Sequence, residues 1–161
     1  VGSLEDIRKA KEYLNLAKEQ LKERKQQFDE QIRIGIMIEI PAIALIADLA
    51  AEEVDFASIG SNDLTQYLSA ADRMNPEVAA YYKSDSTAML RLLGFVFREF
   101  SKREKEISVC GEMAGNPETA QLLVGLGARK LSMSSGNIAG VKAKLAECTL
   151  QELTALAEKK I

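Results

Sequence analysis

Histidine is absent from this sequence of 161 residues, and only two cysteines and three prolines are present. The absence of histidine removes the commonest general base and the commonest metal ligand. Any chemistry therefore has to use carboxylate, thiol, amide or guanidinium groups. Two cysteines that lie far apart do not form the framework of a disulfide-stabilised secreted module, and they are typical of reduced thiols in a cytoplasmic protein.

Long apolar runs and an excess of positive charge are also missing. No apolar stretch is long enough to span a bilayer, and no signal peptide is recognisable, so we expect no membrane insertion. The net charge of −3 gives no electrostatic footprint for nucleic acid. What is present, 47% hydrophobic and 28% charged residues, is typical of a globular domain with a core.

The first regular pattern is that of a long helix from Leu4 to about Lys25. Its apolar residues recur at three- and four-residue spacing, which predicts one apolar stripe along the helix. Ser3 and Asp6 have the spacing of a capping box, which predicts the point where the helix begins.

After residue 32 the pattern changes to short strands that alternate with helices. The strands are predicted at residues 34–38, 56–59, 107–110 and 130–133. The first of them is nearly continuous in apolar residues and is predicted to be buried on both faces. Proline predicts that helices begin at Pro41 and, after Asn116 as the N-cap, at Pro117.

This alternation predicts an α/β fold with a parallel sheet. A doubly wound sheet is one solution, but no G-x-G-x-x-G motif follows the first strand. The other solution is a (β/α)₈ barrel of the TIM type, of which four units are half. We therefore expect residues 1–161 to be a single partial domain, half of such a barrel, and the family resemblance given below implies that it is the C-terminal half. An isolated half barrel would leave strand edges unpaired and one apolar face uncovered.

Polar residues accumulate where the predicted strands end. Glu39 ends the first strand, Asp63 follows the second, and Cys110 ends the third. In parallel α/β folds this edge of the sheet carries the catalytic groups. Two carboxylates there are the hard oxygen ligands that Mg²⁺ takes together with substrate phosphate and water. The competing interpretation is that Glu39 and Asp63 only cap the helices that follow them.

Three residues near this edge each have two interpretations. Asn62 either helps to hold an anion at a helix start or is an ordinary turn residue. Arg73 either clamps a phosphate through its guanidinium group or forms a salt bridge with Asp72 or Asp63. Cys110 either transfers a proton or is a small buried apolar residue.

Several blocks of the sequence carry a resemblance to one family. The blocks are GIMIEIPAIALIADLAAEEVDFASIGSNDLTQY, AADRMN, VCGEMAGNPETAQLLVGLG and KLSMSS. They resemble the C-terminal, phosphoenolpyruvate-binding part of Enzyme I, the phosphoenolpyruvate–protein phosphotransferase of the bacterial sugar phosphotransferase system. The similarity covers essentially the whole chain. Related blocks occur in pyruvate phosphate dikinase and phosphoenolpyruvate synthase, which share the same barrel.

The resemblance implies roles for the polar residues. Glu39 and Asp63 match the two carboxylates that hold the catalytic Mg²⁺. Asn62 and Arg73 match residues that contact phosphoenolpyruvate and its phosphoryl group. The Mg²⁺ and the arginine together would neutralise the charge of the substrate during transfer.

The resemblance also implies how the proton moves. Cys110 matches the acid/base thiol that protonates the enolate of pyruvate as the phosphoryl group leaves. Gly111 matches its neighbour, which allows close approach of the substrate. Ser61 departs from the threonine that the family usually has before the Asn-Asp pair, but it keeps the small hydroxyl group.

The resemblance further implies partners. The family passes the phosphoryl group to a histidine on a separate mobile domain and then to the phosphocarrier protein HPr, and it releases pyruvate. Because this chain contains no histidine, we expect a fragment that is inactive alone. The barrel domain of the family forms a homodimer, so a non-catalytic dimerisation module is one competing function. A fragment of the dikinase or the synthase is the other.

Overall fold

The computed structural model describes residues 1–161, in which strands alternate with helices. The strands are β1 (Gly35–Ile38), β2 (Phe56–Gly60), β3 (Glu106–Cys110) and β4 (Lys130–Leu131). The helices are α1 (Leu4–Glu23), α2 (Pro41–Leu45), α3 (Ala47–Glu53), α4 (Ser61–Ser69), α5 (Thr87–Lys102), α6 (Glu112–Gly115), α7 (Pro117–Leu126), α8 (Ser135–Ala146) and α9 (Leu150–Glu158). None of these helices combines the length and the apolar character that a membrane crossing needs.

The strands form one parallel, four-stranded sheet in the order β1-β2-β3-β4. In its register Met37 lies opposite Ser58, and Ser58 lies opposite Ser108. A doubly wound sheet reverses its strand order at a switch point, whereas the strands of a barrel follow one another in sequence. The α/β fold with four parallel strands is therefore confirmed, and the strand order is that of half a barrel.

Helices cover one face of this sheet. Ile38, Ile59 and Val109 are fully buried on that face, in a core that residues of α2, α3, α5 and α7 complete. The alternation of buried and accessible residues along the strands is that of a sheet with a single covered face.

The opposite face, which we call the open face, carries Met37, Ser58 and Ser108 in its middle row. Met37 is 39% exposed, so the prediction that the first strand is buried on both faces is wrong. The reason is that no second layer of this chain packs there. With two serines in that row, the open face is also less apolar than the sequence led us to expect.

The N-terminal helix begins as predicted. The Ser3 hydroxyl accepts a hydrogen bond from the Asp6 backbone N–H at 3.1 Å, and the Asp6 carboxylate accepts one from the Ser3 N–H at 3.1 Å. The capping box is therefore present, and α1 ends at Glu23, two residues before the predicted end. Of its apolar stripe only Ile7 is buried, and α1 packs against α3.

Two other elements differ from the sequence-based expectation. The helix predicted from Pro41 divides at Ile46, where φ is −113° and ψ is 32°. Neither proline nor glycine stands there, and the two pieces α2 and α3 both pack against α5. The fourth strand is shorter than predicted, although the Ser132 N–H still donates to the Val109 carbonyl at 2.8 Å.

Candidate active site

Glu39, Gly60 and Cys110 form a row across the carboxyl end of the sheet. Gly60 pairs with Cys110 in the register of β2 and β3, and Glu39 follows Ile38, which pairs with Ile59. The strand pairing ends there, but Glu39 still lies beside Gly60, because a Cβ at Gly60 would be 3.0 Å from the Glu39 Cβ. The sequence placed these residues at strand ends, and the structure brings them to the same level.

The Glu39 carboxylate has no charged partner in the protein. Glu39 is half-buried, and its carboxylate takes part in none of the ion pairs of the structure. Helix α2 has Ile40 at its N-cap with no side-chain bond, so Glu39 does not cap that helix. Burying a charge without a partner is unfavourable, so this carboxylate is suited to a cation from outside the protein.

The Cys110 thiol lies on the open face. It donates to the Ile59 carbonyl oxygen at 3.4 Å, and its Sγ is 4.0 Å from the Sδ of Met37. Met37 belongs to β1 and Cys110 to β3, so the two sulfur atoms meet across β2. Cys110 is half-buried and lies outside the core cluster, which does not fit a role as a small core residue.

Asn62 lies in the first turn of α4, because the helix begins at Ser61, so it is at a helix start and not an ordinary turn residue. Its Oδ1 accepts a hydrogen bond from the Glu112 N–H at 3.0 Å, and the Ser61 hydroxyl donates to the Cys110 carbonyl at 2.6 Å. These bonds tie α4 to the end of β3. Because Oδ1 is already bonded to a donor, the Nδ2 group of Asn62 is the part of this amide that can bind a ligand.

Gly111 has a φ of 99°, which side chains rarely allow. A Cβ at this position would lie 2.5 Å from the Ser61 Oγ and 2.9 Å from the Asn62 Oδ1. Two side chains of the protein itself therefore lie close to the Gly111 backbone, and the close approach of the substrate that the resemblance implies there stays a prediction.

Asp63 and Arg73 form an ion pair at the edge of the site. The Asp63 Oδ1 is 3.4 Å from the Arg73 Nη1, and the two side chains are 40% and 39% exposed. Asp63 does not cap α4, because the N-cap position is Gly60 and has no side-chain bond. The Asp63–Arg73 pair is thus one of the two salt bridges that the sequence suggested for Arg73. Both side chains are accessible to solvent and to a ligand.

Tyr82 is a residue of this site that sequence reasoning missed. Its hydroxyl donates to the Asn62 carbonyl oxygen at 3.1 Å. Burial raises the pKa of this phenol above its ordinary value of 10.0, and the negative charge of Glu112 adds to the rise, while Arg73 opposes it. Tyr82 lies 20 residues from Asn62 in an irregular connection, so no periodic pattern indicates the contact.

An open pocket of about 400 Å³ adjoins Cys110 at this end of the sheet. Asn62 and Gly111 contribute to one side, and the loop at residues 132–134 between β4 and α8 contributes to the other. Its volume lies in the range of small-molecule sites.

This end of the sheet carries the carboxylates of Glu39, Asp63 and Glu112, of which the resemblance selects Glu39 and Asp63 for a metal ion. No group of three or more acidic, thiol or imidazole side chains comes together in the chain, so the protein would supply part of a coordination shell. Mg²⁺ takes one or two carboxylates and completes its octahedron with water and substrate phosphate. The unpaired Glu39 and the accessible Asp63 fit such an ion.

Comparison with known proteins identifies a matching family. The family model described as PEP-utilising enzyme, PEP-binding domain, where PEP is phosphoenolpyruvate, matches residues 1–150. Those residues include the row at the carboxyl end of the sheet, the Asp63–Arg73 pair and Tyr82.

Curated relatives extend over nearly the whole chain. Multiphosphoryl transfer protein 2 of Escherichia coli (strain K12) is 44% identical over 152 residues, which are 94% of this chain and 18% of that protein. The phosphoenolpyruvate-protein phosphotransferase of Priestia megaterium is 40% identical over 95% of this chain and 27% of its own length. That of Bacillus subtilis (strain 168) is 40% identical over 99% of this chain and 28% of its own length. The chain thus spans less than a third of the length of these relatives.

Proposed function

Since the chain belongs to the family of PEP-binding domains of PEP-utilising enzymes, we propose that the carboxyl end of its sheet binds phosphoenolpyruvate for phosphoryl transfer. The observation that carries this proposal is the position of an unpaired carboxylate, Glu39, in one row with Gly60 and Cys110. Asn62 and the Asp63–Arg73 pair adjoin that row in the first turn of α4 and its following loop.

The proposed reaction transfers the phosphoryl group to a protein histidine and then to HPr, and it releases pyruvate. The histidine nitrogen bonds to phosphorus as the bond from phosphorus to the enol oxygen breaks, and the enolate takes a proton on its methylene carbon. Residues 1–161 contain no histidine, so the acceptor would come from elsewhere and this chain alone would not complete the transfer. The phosphotransferase names of the relatives favour this reaction over that of a dikinase or synthase.

Glu39 and Asp63 are the proposed ligands of Mg²⁺. When bound, the ion supplies positive charge to the phosphate and enol oxygens. Glu39 is available without breaking any ion pair, whereas Asp63 has to leave Arg73. The Arg73 guanidinium, once released, presents its N–H groups to a phosphate in the bidentate geometry that arginine favours.

Asn62 and Cys110 are the proposed substrate ligand and proton donor. The Asn62 amide is oriented by the Glu112 N–H on its oxygen, which leaves Nδ2 to donate to an anionic oxygen. The Cys110 thiol adjoins the pocket, and a thiol there can give its proton to the enolate carbon. Gly111 would serve by keeping the backbone next to Cys110 free of a side chain.

HPr as partner, a homodimer and a cytoplasmic location complete the proposal. The first two follow from the resemblance, and the location follows from the two separated cysteines. Strands β1 and β4 are the edges of the sheet and pair with no further strand of this chain. Unpaired edges favour association, and this observation favours the competing function, a dimerisation module without catalysis.

A titration of the full chain with phosphoenolpyruvate in the presence of Mg²⁺ tests the proposal. We expect amide NMR signals of Asn62, Gly111 and Glu112 to move. The variant Asp63→Asn should bind about tenfold more weakly or worse, because a metal ligand is lost. Glu53→Gln is the matched control, since Glu53 pairs with Arg8 and Lys11 on the remote helices α1 and α3.

Two outcomes would contradict the proposal. One is that Asp63→Asn binds phosphoenolpyruvate as tightly as the wild-type chain. The other is that the wild-type chain forms a stable oligomer by light scattering while none of its site amides responds to ligand, which would support the dimerisation module.

A further inference from the structure

We infer that Gly60 is a positioning residue of this site: the lack of a side chain at Gly60 lets Glu39 lie over the end of β2 and lets Met37 of β1 reach Cys110 of β3. The inference rests on the proposed function, in which Glu39 is a metal ligand and Cys110 a proton donor. The role of Gly60 follows from its spatial neighbours and not from the sequence motifs or the strand register alone.

The separation of the strands makes such an approach unusual. Neighbouring strands lie about 4.8 Å apart, so β1 and β3 are about 10 Å apart with β2 between them. Side chains from β1 and β3 meet only where the residue of β2 leaves the space empty. They do meet here, since the Cys110 Sγ is 4.0 Å from the Met37 Sδ.

The space above Gly60 is filled by its neighbours. A Cβ at Gly60 would lie 2.9 Å from the Glu39 Oε2, 3.0 Å from the Glu39 Cβ and 3.4 Å from the Met37 Sδ. The Glu39 carboxylate therefore occupies the place that a side chain at position 60 would take. Glu39 and Met37, both from β1 or the residue after it, thus lie over the end of β2.

The backbone does not require glycine here. Gly60 has a φ of −81° and a ψ of 84°, outside the left-handed region that favours glycine. Gly111, just after the end of the neighbouring strand, has a φ of 99°. There the backbone conformation itself requires glycine, in addition to the lack of space for a side chain. The difference means that a substitution at Gly60 acts through Glu39 and Met37 rather than through backbone strain.

Alanine at position 60 should therefore move a ligand without unfolding the chain. The closest atom to the added methyl group is the end of the Glu39 side chain, which can rotate away. The carboxylate would leave its position beside Gly60, and metal affinity would fall while the core stays intact.

Binding of Mn²⁺ to the full chain, followed by the electron paramagnetic resonance signal of the free ion, tests this inference. We expect Gly60→Ala to bind Mn²⁺ about tenfold more weakly or worse, with thermal unfolding still cooperative. Glu39→Gln removes the ligand itself and is the positive control. Gly140→Ala is the matched control, because a Cβ at Gly140 meets nothing within 4 Å, and it should bind as the wild-type chain does.

A second measurement needs no metal. With ¹³C-labelled methionine methyl groups, Gly60→Ala should shift the NMR signal of Met37, while the signal of the 81% exposed Met74 stays in place. If Gly60→Ala binds Mn²⁺ as tightly as the wild-type chain and leaves the Met37 signal in place, the inference is overturned. If Glu39→Gln binds Mn²⁺ like the wild-type chain, the proposed metal ligand is wrong, and a Met37 signal that still moves supports the approach of the strands across Gly60.

Discussion

The amino and carboxyl ends of the sheet differ in whether the carboxylates on and beside their strands have ion-pair partners. At the amino end, the Glu106 carboxylate lies 2.6 Å from the Lys130 Nζ and 3.5 Å from the Arg33 Nη2. The Arg33 guanidinium also lies over the Phe56 ring, 5.2 Å from its centroid. These contacts connect residues of β2, β3 and β4 with the segment before β1, and every charge named has a partner.

At the carboxyl end, charge is left over. Glu39 has no ion-pair partner, and Asp63 has one accessible partner in Arg73. In parallel α/β barrels the carboxyl ends of the strands carry the chemistry, while the other end serves stability. The difference teaches that a half-buried carboxylate without an ion-pair partner, rather than charge itself, marks the end that is suited to a ligand.

Cavity volume does not separate the two ends. A depression of about 350 Å³ at the amino end and the pocket of about 400 Å³ beside Cys110 are similar in size. The amino-end depression is lined by Arg129, whose Nη1 donates to the Ala128 carbonyl at 2.7 Å, and by the opposite charges of Glu104 and Lys105, whereas the pocket beside Cys110 is lined by that thiol and the Asn62 amide. The chemistry of the lining therefore decides between the two.

The largest effect should come from the glycine at the amino end. A Cβ at Gly35 would overlap the Phe56 ring, which the Arg33 guanidinium covers. We expect Gly35→Ala to lower the free energy of unfolding by about 1–3 kcal/mol, the usual cost of overpacking, and to leave Mn²⁺ binding unchanged. Urea denaturation measures the first quantity and the paramagnetic assay the second.

Gly60→Ala is the partner experiment for that comparison. It should show the reverse pattern, with little loss of stability and a clear loss of Mn²⁺ affinity. Equal destabilisation by the two substitutions would remove the distinction between a structural and a functional end.

Some of this arrangement was predictable from local sequence. Asn116 before Pro117 predicts an N-cap, and the Asn116 Oδ1 accepts hydrogen bonds from two backbone N–H groups of α7. The strand pattern placed Glu39 and Cys110 at strand ends, and the structure brings them into one row with Gly60. Local signals of this kind act within a few residues, so they survive in any tertiary context.

Other features depend on contacts between distant segments. The bond from Tyr82 to Asn62 and the approach of Met37 to Cys110 join residues that have no spacing pattern between them. The break at Ile46 carries no proline or glycine signal. Packing of whole elements decides such features, and a single sequence does not encode them in its periodicity.

A smaller effect is expected at Tyr82, which fastens the loop that carries Arg73 to α4. Tyr82→Phe removes the hydrogen bond to the Asn62 carbonyl and should lower the free energy of unfolding at pH 7 by about 1 kcal/mol. Tyr81→Phe is the matched control, because Tyr81 is 71% exposed. Urea denaturation of both variants gives the comparison.

The pH dependence of the Tyr82 effect has a definite sign. Burial raises the pKa of the phenol above 10.0 in the folded chain, so the folded state holds this proton more tightly than the unfolded state. The stability that this contributes is present below pH 10 and is lost as the pH rises through the folded-state pKa. The difference between wild type and Tyr82→Phe should therefore shrink above pH 10, and a difference that grows there would contradict the assignment.

The smallest effect tests the contrast in charge directly, through the same substitution at both ends. Lys130, and to a smaller extent Arg33, hold the pKa of Glu106 below its ordinary value of 4.5. The stability that Glu106 contributes is therefore present above pH 4.5 and is lost as the pH falls through the folded-state pKa. Glu106→Gln should lower the urea midpoint slightly at pH 7. The loss should shrink in about 1 M salt, where the Debye length falls to about 3 Å, and it should vanish in acid. Glu39→Gln should leave the midpoint unchanged or raise it, because it removes a half-buried charge that no partner compensates. Equal losses of stability at the two ends, with the same salt dependence, would mean that Glu39 is compensated within the protein, and the carboxyl end would then have no charge to spare for a ligand.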